Sequence, residues 1–416
     1  MNTVMDIAIV GYGTAGQAAA VLLSRDGHRV RVFEQAPQPG PVGAGFLLQP
    51  SGLQVLWRMG LLDAVLAHGA PIARLYGETP KGRSVMDMRY AALDARLFGL
   101  GMQRGALFSL LDEAWRDRAG LHAGCRIEAV DAEHGRLRDG EGRWHGPFDL
   151  VIAADGSASG LRSALPGRRV ERPYPWGALW CLLPALDWPC RNELRQRYVA
   201  ARKMIGLLPV GTRPGDGVPR LSFFWSLPSC DFEAWAAGDL QVWKSEVAAI
   251  WPQAGEWLEP VTRHVDLARA GYRDIVLHEN WHSGRMVLVG DAAHGMSPQL
   301  GQGVNMALQD AEALRDALRE CAGTGEALAQ YQLRRRRHVA IYQFWSRWLT
   351  PLFQSEHDTF ARLRDLSFLP LGRLPGGRGH MLRVLSDTQR GWFGRLPLQP
   401  GFIAAMARHA PGDPND

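Results

Sequence analysis

The sequence predicts an α/β fold in which a parallel-sheet domain is split by an inserted, mostly antiparallel sheet and followed by a helical C-terminal segment. Three observations carry this expectation. The chain opens with a short apolar run, a glycine-rich turn, an Ala/Leu-rich helical stretch and a second apolar run, which together read as a βαβ unit. Aromatic and β-branched runs alternate with Pro/Gly loops between about residues 173 and 270, a texture of antiparallel strands. Long helical periodicity then takes over from Gly303.

Taken in order, Asp6–Val10 is the first strand, Gln17 to Ser24 the first helix and Val30–Phe33 the second strand, ending at Glu34. A further Gly-rich turn at Gly43–Gly45 precedes a helix over Ser51–Met59. The stretch from Pro71 to Gly101 is irregular and strand-like, Gly105–Arg118 is an amphipathic helix, and a hairpin-like stretch runs to Gly146. Asp149–Ala154 is a buried strand closed by Asp155-Gly156. The runs Ala178–Leu183, Met204–Val210 and Leu221–Leu227 supply the inserted sheet, and Arg285–Val289 returns to the parallel type. Two long helices follow, about Gly303 to Arg319 and Leu328 to Trp348. The tail is expected to be helical in pieces with a polar, frayed end.

The chain has 416 residues, room for two or three domains, and its 46% hydrophobic and 21% charged content is that of a globular protein. A net charge of +5, spread mostly as Arg, is too mild to indicate nucleic acid. Five scattered cysteines without a CxxC pair give neither a disulfide framework nor a metal site, and point to a reducing cytoplasm. No apolar run reaches the roughly 18 residues of a spanning helix. The 15 tryptophans suit either core packing or an aromatic-lined pocket.

Gly11-Tyr-Gly13-Thr-Ala15-Gly16 is a GxGxxG turn between a strand and a helix, with Glu34 about 20 residues on at the end of the next strand. Gly11 and Gly13 permit a tight turn and close approach of a pyrophosphate whose charge sits at the helix N-terminus. Gly16 lets helix and strand pack closely, and Glu34 can accept hydrogen bonds from ribose hydroxyls. A Rossmann-type dinucleotide site is therefore expected, although the motif does not say which dinucleotide.

That choice comes from a second and a third motif, VIAADGSASGLRSAL at Val151–Leu165 and RMVLVGDAAHGMSPQLGQGVNMALQD at Arg285–Asp310. With the Gly-rich start, these resemble the FAD-dependent aromatic hydroxylases, the single-component flavoprotein monooxygenases of the para-hydroxybenzoate and salicylate hydroxylase type. The resemblance implies an FAD-binding domain from 1–75, 104–172 and 272–345, a substrate domain from 76–103 and 173–271, and a helical segment from 346–416. It further implies that Asp291 binds the ribityl hydroxyls, and that Gly301, Gly303, Val304 and Asn305 set backbone N–H groups at the isoalloxazine edge. Arg104 would reach the flavin chain and Asp155, with Arg162 nearby, would contact FAD and the nicotinamide. Pro298 would line the pocket by the reactive face. The implied reaction is NAD(P)H- and O2-dependent hydroxylation of a small aromatic or heteroaromatic substrate through a flavin C4a-hydroperoxide, with NADH or NADPH as a transient donor.

Substrate-pocket residues are expected on the inserted sheet. Period-two alternation puts Phe223 and Trp225 on one face of their strand, with Phe224 and Ser226 on the other. The Phe223/Trp225 face is taken to look toward the flavin, with Met204 and Leu208 as further candidates. His294 reads as a packed loop histidine, and no catalytic base is assigned. Arg334–Arg337 reads as a solvated helical face, and the apolar tail as a cover for the substrate domain or a homodimer contact. No membrane contact is expected. Two other readings are an enzyme fed reduced flavin by a partner, such as a halogenase, and a non-catalytic flavin-binding redox sensor. Against the first, Phe223–Pro228 lacks the first Trp of the halogenase WxWxIP signature.

Overall fold

The computed structural model describes residues 4–40, 43–185, 187–373 and 376–410. The polar end, 411–416, lies outside the described residues.

The opening apolar runs form a six-stranded sheet in the order His282–Ser283, Met286–Leu288, Leu150–Ala153, Asp6–Val10, Arg29–Glu34 and Leu121–Ala123. All neighbours are parallel except the edge strand His282–Ser283. Ile9 lies opposite Ile152 on one side and Val32 on the other. The central strands are buried apart from Asp6, which explains their near-continuous apolar sequences. Helices Thr14–Arg25 and Gly303–Glu320 pack together over this sheet, and Thr324–Phe353 lies beside the second of them.

The amphipathic helix near residue 105 starts at Arg104 and ends at Ala114, earlier than its periodicity suggests. Trp115 leaves the helix in an extended conformation and is buried, its Nε1 donating to Ser24 Oγ at 3.0 Å.

The inserted sheet has seven strands, Ala268–Ala270, Trp176–Pro184, Arg220–Pro228, Lys203–Pro209, Glu193–Val199, Arg74–Glu78 and Ser84–Arg89 in spatial order. It is antiparallel except where Glu193–Val199 meets Arg74–Glu78. Gly99–Gln103 instead pairs with Gly45–Leu48 and Ala70–Ile72 in a small sheet of its own. Within the stretch read as strands and loops, residues 232–257 form three helices, Phe232–Ala237, Leu240–Ile250 and Pro252–Trp257. They cover the outer face of the sheet and bury a separate core with Trp188, Trp243, Val247 and Trp251. The C-terminal segment holds helices but also a two-stranded hairpin, Gln389–Arg390 with Gly394–Arg395.

Candidate active site

The chain turns at the C-terminal ends of three adjacent parallel strands bring the motifs together. Gly11 follows the first strand with φ +99°, and a Cβ there would lie 2.5 Å from the Ala154 carbonyl oxygen. Gly16 packs so closely that its Cβ would meet the Gly11 oxygen at 2.0 Å. Gly13, by contrast, has nothing within 4 Å of where a Cβ would be. Two glycines thus close the turn and one opens onto space. The Thr14 helix begins there with no side-chain cap and no acid in its first turn, so its N–H groups are left to an outside acceptor. Glu34 is held by the Tyr12 and Ala36 backbone N–H groups, one on each carboxylate oxygen at 2.8 Å.

Asp291 begins the short helix after the third strand and is exposed. Asp155 follows the neighbouring strand with Oδ1 buried and unpartnered, and burial pushes its carboxyl up against a hydrogen bond from Ser159. Arg104 is solvent-accessible yet ringed by protein, as expected for a group on the floor of an open cleft. That crowding pushes its guanidinium below the ordinary arginine value, and Asp291 and Tyr272 oppose the effect. Gly43, at φ +95°, lets the chain lie against Arg104, since a Cβ would meet its side chain at 3.0 Å.

After Pro298–Leu300, Gly301 takes a left-handed conformation at φ +64° and the Gly303 helix begins, again without a side-chain cap or an acid in its first turn. A Cβ on Gly303 would have Asp291 Oδ1 as its neighbour at 3.7 Å. Val304 is buried, while the Asn305 side chain turns away from the cleft. Its Oδ1 accepts from Gln49 N at 2.8 Å, and its Nδ2 donates to Leu47 O, Gly301 O and Gln302 Oε1. Asn305 therefore braces the loop, and what the loop offers the cleft is backbone.

The wall opposite comes from the inserted sheet, and here the sequence reading is corrected. Phe223 and Trp225 face outward, into the core under Leu240–Ile250, with ring centroids 6.1 and 5.9 Å from Trp243. The inward face carries Ser222, Phe224 and Ser226. Ser222 Oγ accepts from Gly45 N at 3.1 Å, stitching the sheet to the first domain. Phe224 lies across Gly206, where a Cβ would come within 1.9 Å of the ring, and packs on Trp180 at 5.1 Å. Met204 shares this face and packs with Phe224, Leu352 and Phe353 under the end of the Thr324 helix. Leu208 joins the first-domain core.

Sequence reasoning missed Trp180 and Tyr272. Trp180 Nε1 donates to Tyr272 Oη at 3.0 Å, and the Tyr272 hydroxyl is close enough to Arg104 to feel its charge. Burial, opposed by Trp180 and Arg104, leaves the phenol pushed up to about 12. No local motif marks Tyr272, which lies between two short strands.

His294 is buried and donates to Asp310 Oδ2 at 2.6 Å. Arg162 does not reach the cleft; it is buried and ties Ala292 O, Ser157 O and Glu171 together. Of the four consecutive arginines, Arg335 contradicts the solvated reading, being buried with Nε 2.5 Å from Asp310 Oδ1. Cys125, Asp139 and His145 bring ligand atoms within 4.8 Å of one another. Asp139 already accepts from Glu141, Arg143 and His145, and the adjoining Arg143 guanidinium opposes a cation there.

The FAD binding domain family matches residues 4–343. The chain is 30% identical over 352 residues to the FAD-dependent urate hydroxylase of Klebsiella oxytoca, covering 80% of this chain and 86% of that one. It is 32% identical over 398 residues to 3-amino-4-hydroxybenzoate 2-monooxygenase PtnB3 of Streptomyces platensis, covering 88% and 93%. Among solved structures, a mutant of 2-methyl-3-hydroxypyridine-5-carboxylic acid oxygenase superposes with a TM-score of 0.75 at 21% identity, over 94% of this chain and all of that one.

Proposed function

The chain belongs to the FAD-dependent aromatic hydroxylase family, and from that premise we propose that it inserts one atom of O2 into an electron-rich aromatic or heteroaromatic small molecule. The second oxygen atom leaves as water, and NADH or NADPH provides the two electrons. The observation that carries this reading is a dinucleotide cradle at the Thr14 helix with Arg104 between Asp291 and the hydrogen-bonded pair Trp180 and Tyr272. Five free cysteines fit a cytoplasmic setting.

The residues present fit FAD. The open space at Gly13 and the uncapped Thr14 helix suit a pyrophosphate, and the unpartnered Asp155 oxygen and exposed Asp291 suit ribityl hydroxyls. Glu34, pinned by two backbone N–H groups, keeps lone pairs for the ribose. Ala15 packs where its helix meets the Gly290 turn. Bound there and reduced by the nicotinamide, FAD supplies the oxygen activation. The Gly303 helix N-terminus would favour negative charge on the ring edge beside it, and Arg104 adds positive charge across the cleft. Pro298, Trp180 and Phe224 keep the reacting ring dry and fix its plane.

Tyr272 remains protonated at neutral pH and has accepted the Trp180 N–H, so its own proton points to use as a donor. We assign it the task of orienting a ring oxygen or nitrogen of the substrate. It is too weak an acid to serve as a base, and the ring's own electron-donating substituent drives the attack on oxygen.

The test is anaerobic stopped-flow reduction of the flavoprotein by NADH and NADPH, with a panel of phenols, benzoates, quinolones and indoles. Reduction accelerated by one class identifies the substrate class and the donor together. If neither nucleotide reduces the flavin and turnover needs reduced flavin from outside, the self-sufficient hydroxylase is wrong.

A further inference from the structure

One surface of the molecule, the Gln389–Arg395 hairpin with the helix stripe beside it, carries its large apolar groups in the open. The Gln389–Arg395 hairpin reads Gln-Arg-Gly-Trp-Phe-Gly-Arg, with Arg390 and Arg395 as its shoulders and Trp392 and Phe393 at its tip. Phe393 is 98% exposed and Trp392 52%. The tip adjoins the Thr324 helix, with Trp392 4.9 Å from Phe344. Leu333, Arg337, Ala340, Phe344 and Trp348 are all exposed at a spacing that puts them on one stripe of that helix. Large apolar groups left in water at this density mark an interaction site.

The hairpin is braced by a buried side chain. Gln389 is buried, and its Nε2 donates to the carbonyl oxygens of Gly391 and Trp392 at 2.8 and 3.1 Å. Its Oε1 accepts from Arg383 Nε, and its backbone carbonyl accepts from Tyr342 Oη. Two carbonyls of the turn are thus satisfied from within, which is what a turn must do to enter a medium without water.

Charge separates the occupants. Among the described residues, Arg337, Arg390 and Arg395 pair with no carboxylate, so the patch is apolar with a basic rim. A second copy docked across a two-fold axis would set this rim against itself. An anionic lipid surface matches both features at once, with aromatic rings at headgroup depth and guanidiniums at the phosphates. We propose that the Gln389–Arg395 hairpin and the adjoining stripe of the Thr324 helix seat this enzyme on an anionic lipid surface. The contact is peripheral, since no described helix is long and apolar enough to cross a membrane. It departs from the expectation of no membrane contact, and it stands whatever the substrate is.

The test is co-sedimentation of the FAD-loaded protein with vesicles of phosphatidylcholine alone or mixed with phosphatidylglycerol, at low and at physiological salt. Binding is expected only with phosphatidylglycerol present. Trp392→Ser/Phe393→Ser should weaken it roughly tenfold or more, and Arg390→Gln/Arg395→Gln about thirtyfold with a flatter salt dependence. Both variants should keep their flavin and melt within a few degrees of wild type, because Phe393, Arg390 and Arg395 are exposed and Trp392 is half-exposed. The proposal is overturned if wild type stays in the supernatant at low salt, or if the tip variant sediments as wild type does, which would mean adsorption of a basic chain by charge alone. A dimer that the tip substitutions dissociate, without vesicle binding, would give this face to a second copy.

Discussion

Phe224 and Trp225 are neighbours in sequence on opposite faces of one strand, so a pair of substitutions separates the wall of the cleft from the core behind it. Trp225 is 3% exposed and packs edge-on against Trp243 at 5.9 Å, with Lys203 over its ring. Removing it in Trp225→Ala deletes one of the largest side chains of the outer core, a loss of about 3–5 kcal/mol. If the chain melts as one unit of this length, that lowers the melting temperature by about 3–6 °C. That core lies on the opposite face of the strand from Phe224, so the substrate's acceleration of flavin reduction should be unchanged. Phe224→Leu removes a ring that lies over Gly206 against Trp180. The substitution keeps most of the buried volume and should cost under about 2 kcal/mol of stability. It reshapes the wall, however, and the substrate dissociation constant read from the reduction rates should rise about tenfold, or roughly 1.4 kcal/mol. Thermal melting and anaerobic reduction on the same preparations decide the matter. The face assignment is refuted if Trp225→Ala alters substrate-dependent reduction while Phe224→Leu leaves it unchanged.

Asp291→Ala should purify with little flavin while its apoprotein melts within about 1 °C of the wild-type apoprotein, because an exposed carboxylate contributes little to folding. Gly11→Ala and Gly13→Ala should diverge: the first forces a Cβ against the Ala154 carbonyl at φ +99° and destabilises the fold, whereas the second leaves folding intact and lowers flavin affinity by filling the open space. Absorbance of bound flavin against melting temperature distinguishes them. Tyr272→Phe should keep its flavin and lose substrate discrimination by roughly tenfold, through one missing hydrogen bond; equal affinities would reject its donor role. Burial raises the Asp310 carboxyl, yet His294, Arg335 and the Gly290 N–H together hold it down at about 2. Its folded value is therefore below the unfolded one, so it stabilises the fold above about pH 4 and that contribution is lost as pH falls toward 2. Asp310→Asn should melt lower than wild type at neutral pH, with the gap narrowing between pH 4 and 2 in acid titrations.

Much of the first domain was legible because its signals are local. The βαβ unit needs only a turn of fixed glycines between two apolar runs, and the strands and helices stand within a few residues of where the pattern puts them. The inserted domain was harder for two physical reasons. Between 232 and 257 the helices are only 6 to 11 residues long and are cut by Gly238 and Pro252, too short for a 3.6-residue period to stand out from Trp-rich loops. Once that layer goes unseen, alternation along 221–227 offers two apolar faces and no means of choosing between them. Tyr272 was invisible because its importance comes from Trp180 and Arg104, which are distant in sequence. Arg335 could have been found. Tyr331, Arg335, His338 and Tyr342 fall at i, i+4, i+7 and i+11, and all four are buried, so the inward stripe of the helix passes through the arginine run.

The long motif Gly290–Asp310 works as two faces of a single device. Toward the cleft its 301–303 stretch presents backbone, at Gly301, Gly303 and the first N–H groups of an uncapped helix, between the Asp291 carboxylate and Pro298. Away from the cleft, Asn305, Gln309, Asp310 and His294 are tied to the surrounding fold. Asn305 holds Gln49 and Leu47, Asp310 holds Gly290, His294 and Arg335, and Gln309 bonds Arg335 and Asp387. Asp387, in the left-handed region at φ +55°, also accepts from Ser51 Oγ and His338 Nε2. A helix N-terminus stabilises charge only where it is held still, since a dipole that can turn loses its advantage over water. The density of polar residues in the motif thus follows from a glycine backbone that cannot hold itself, and the C-terminal turn at 386–389 belongs to the same support.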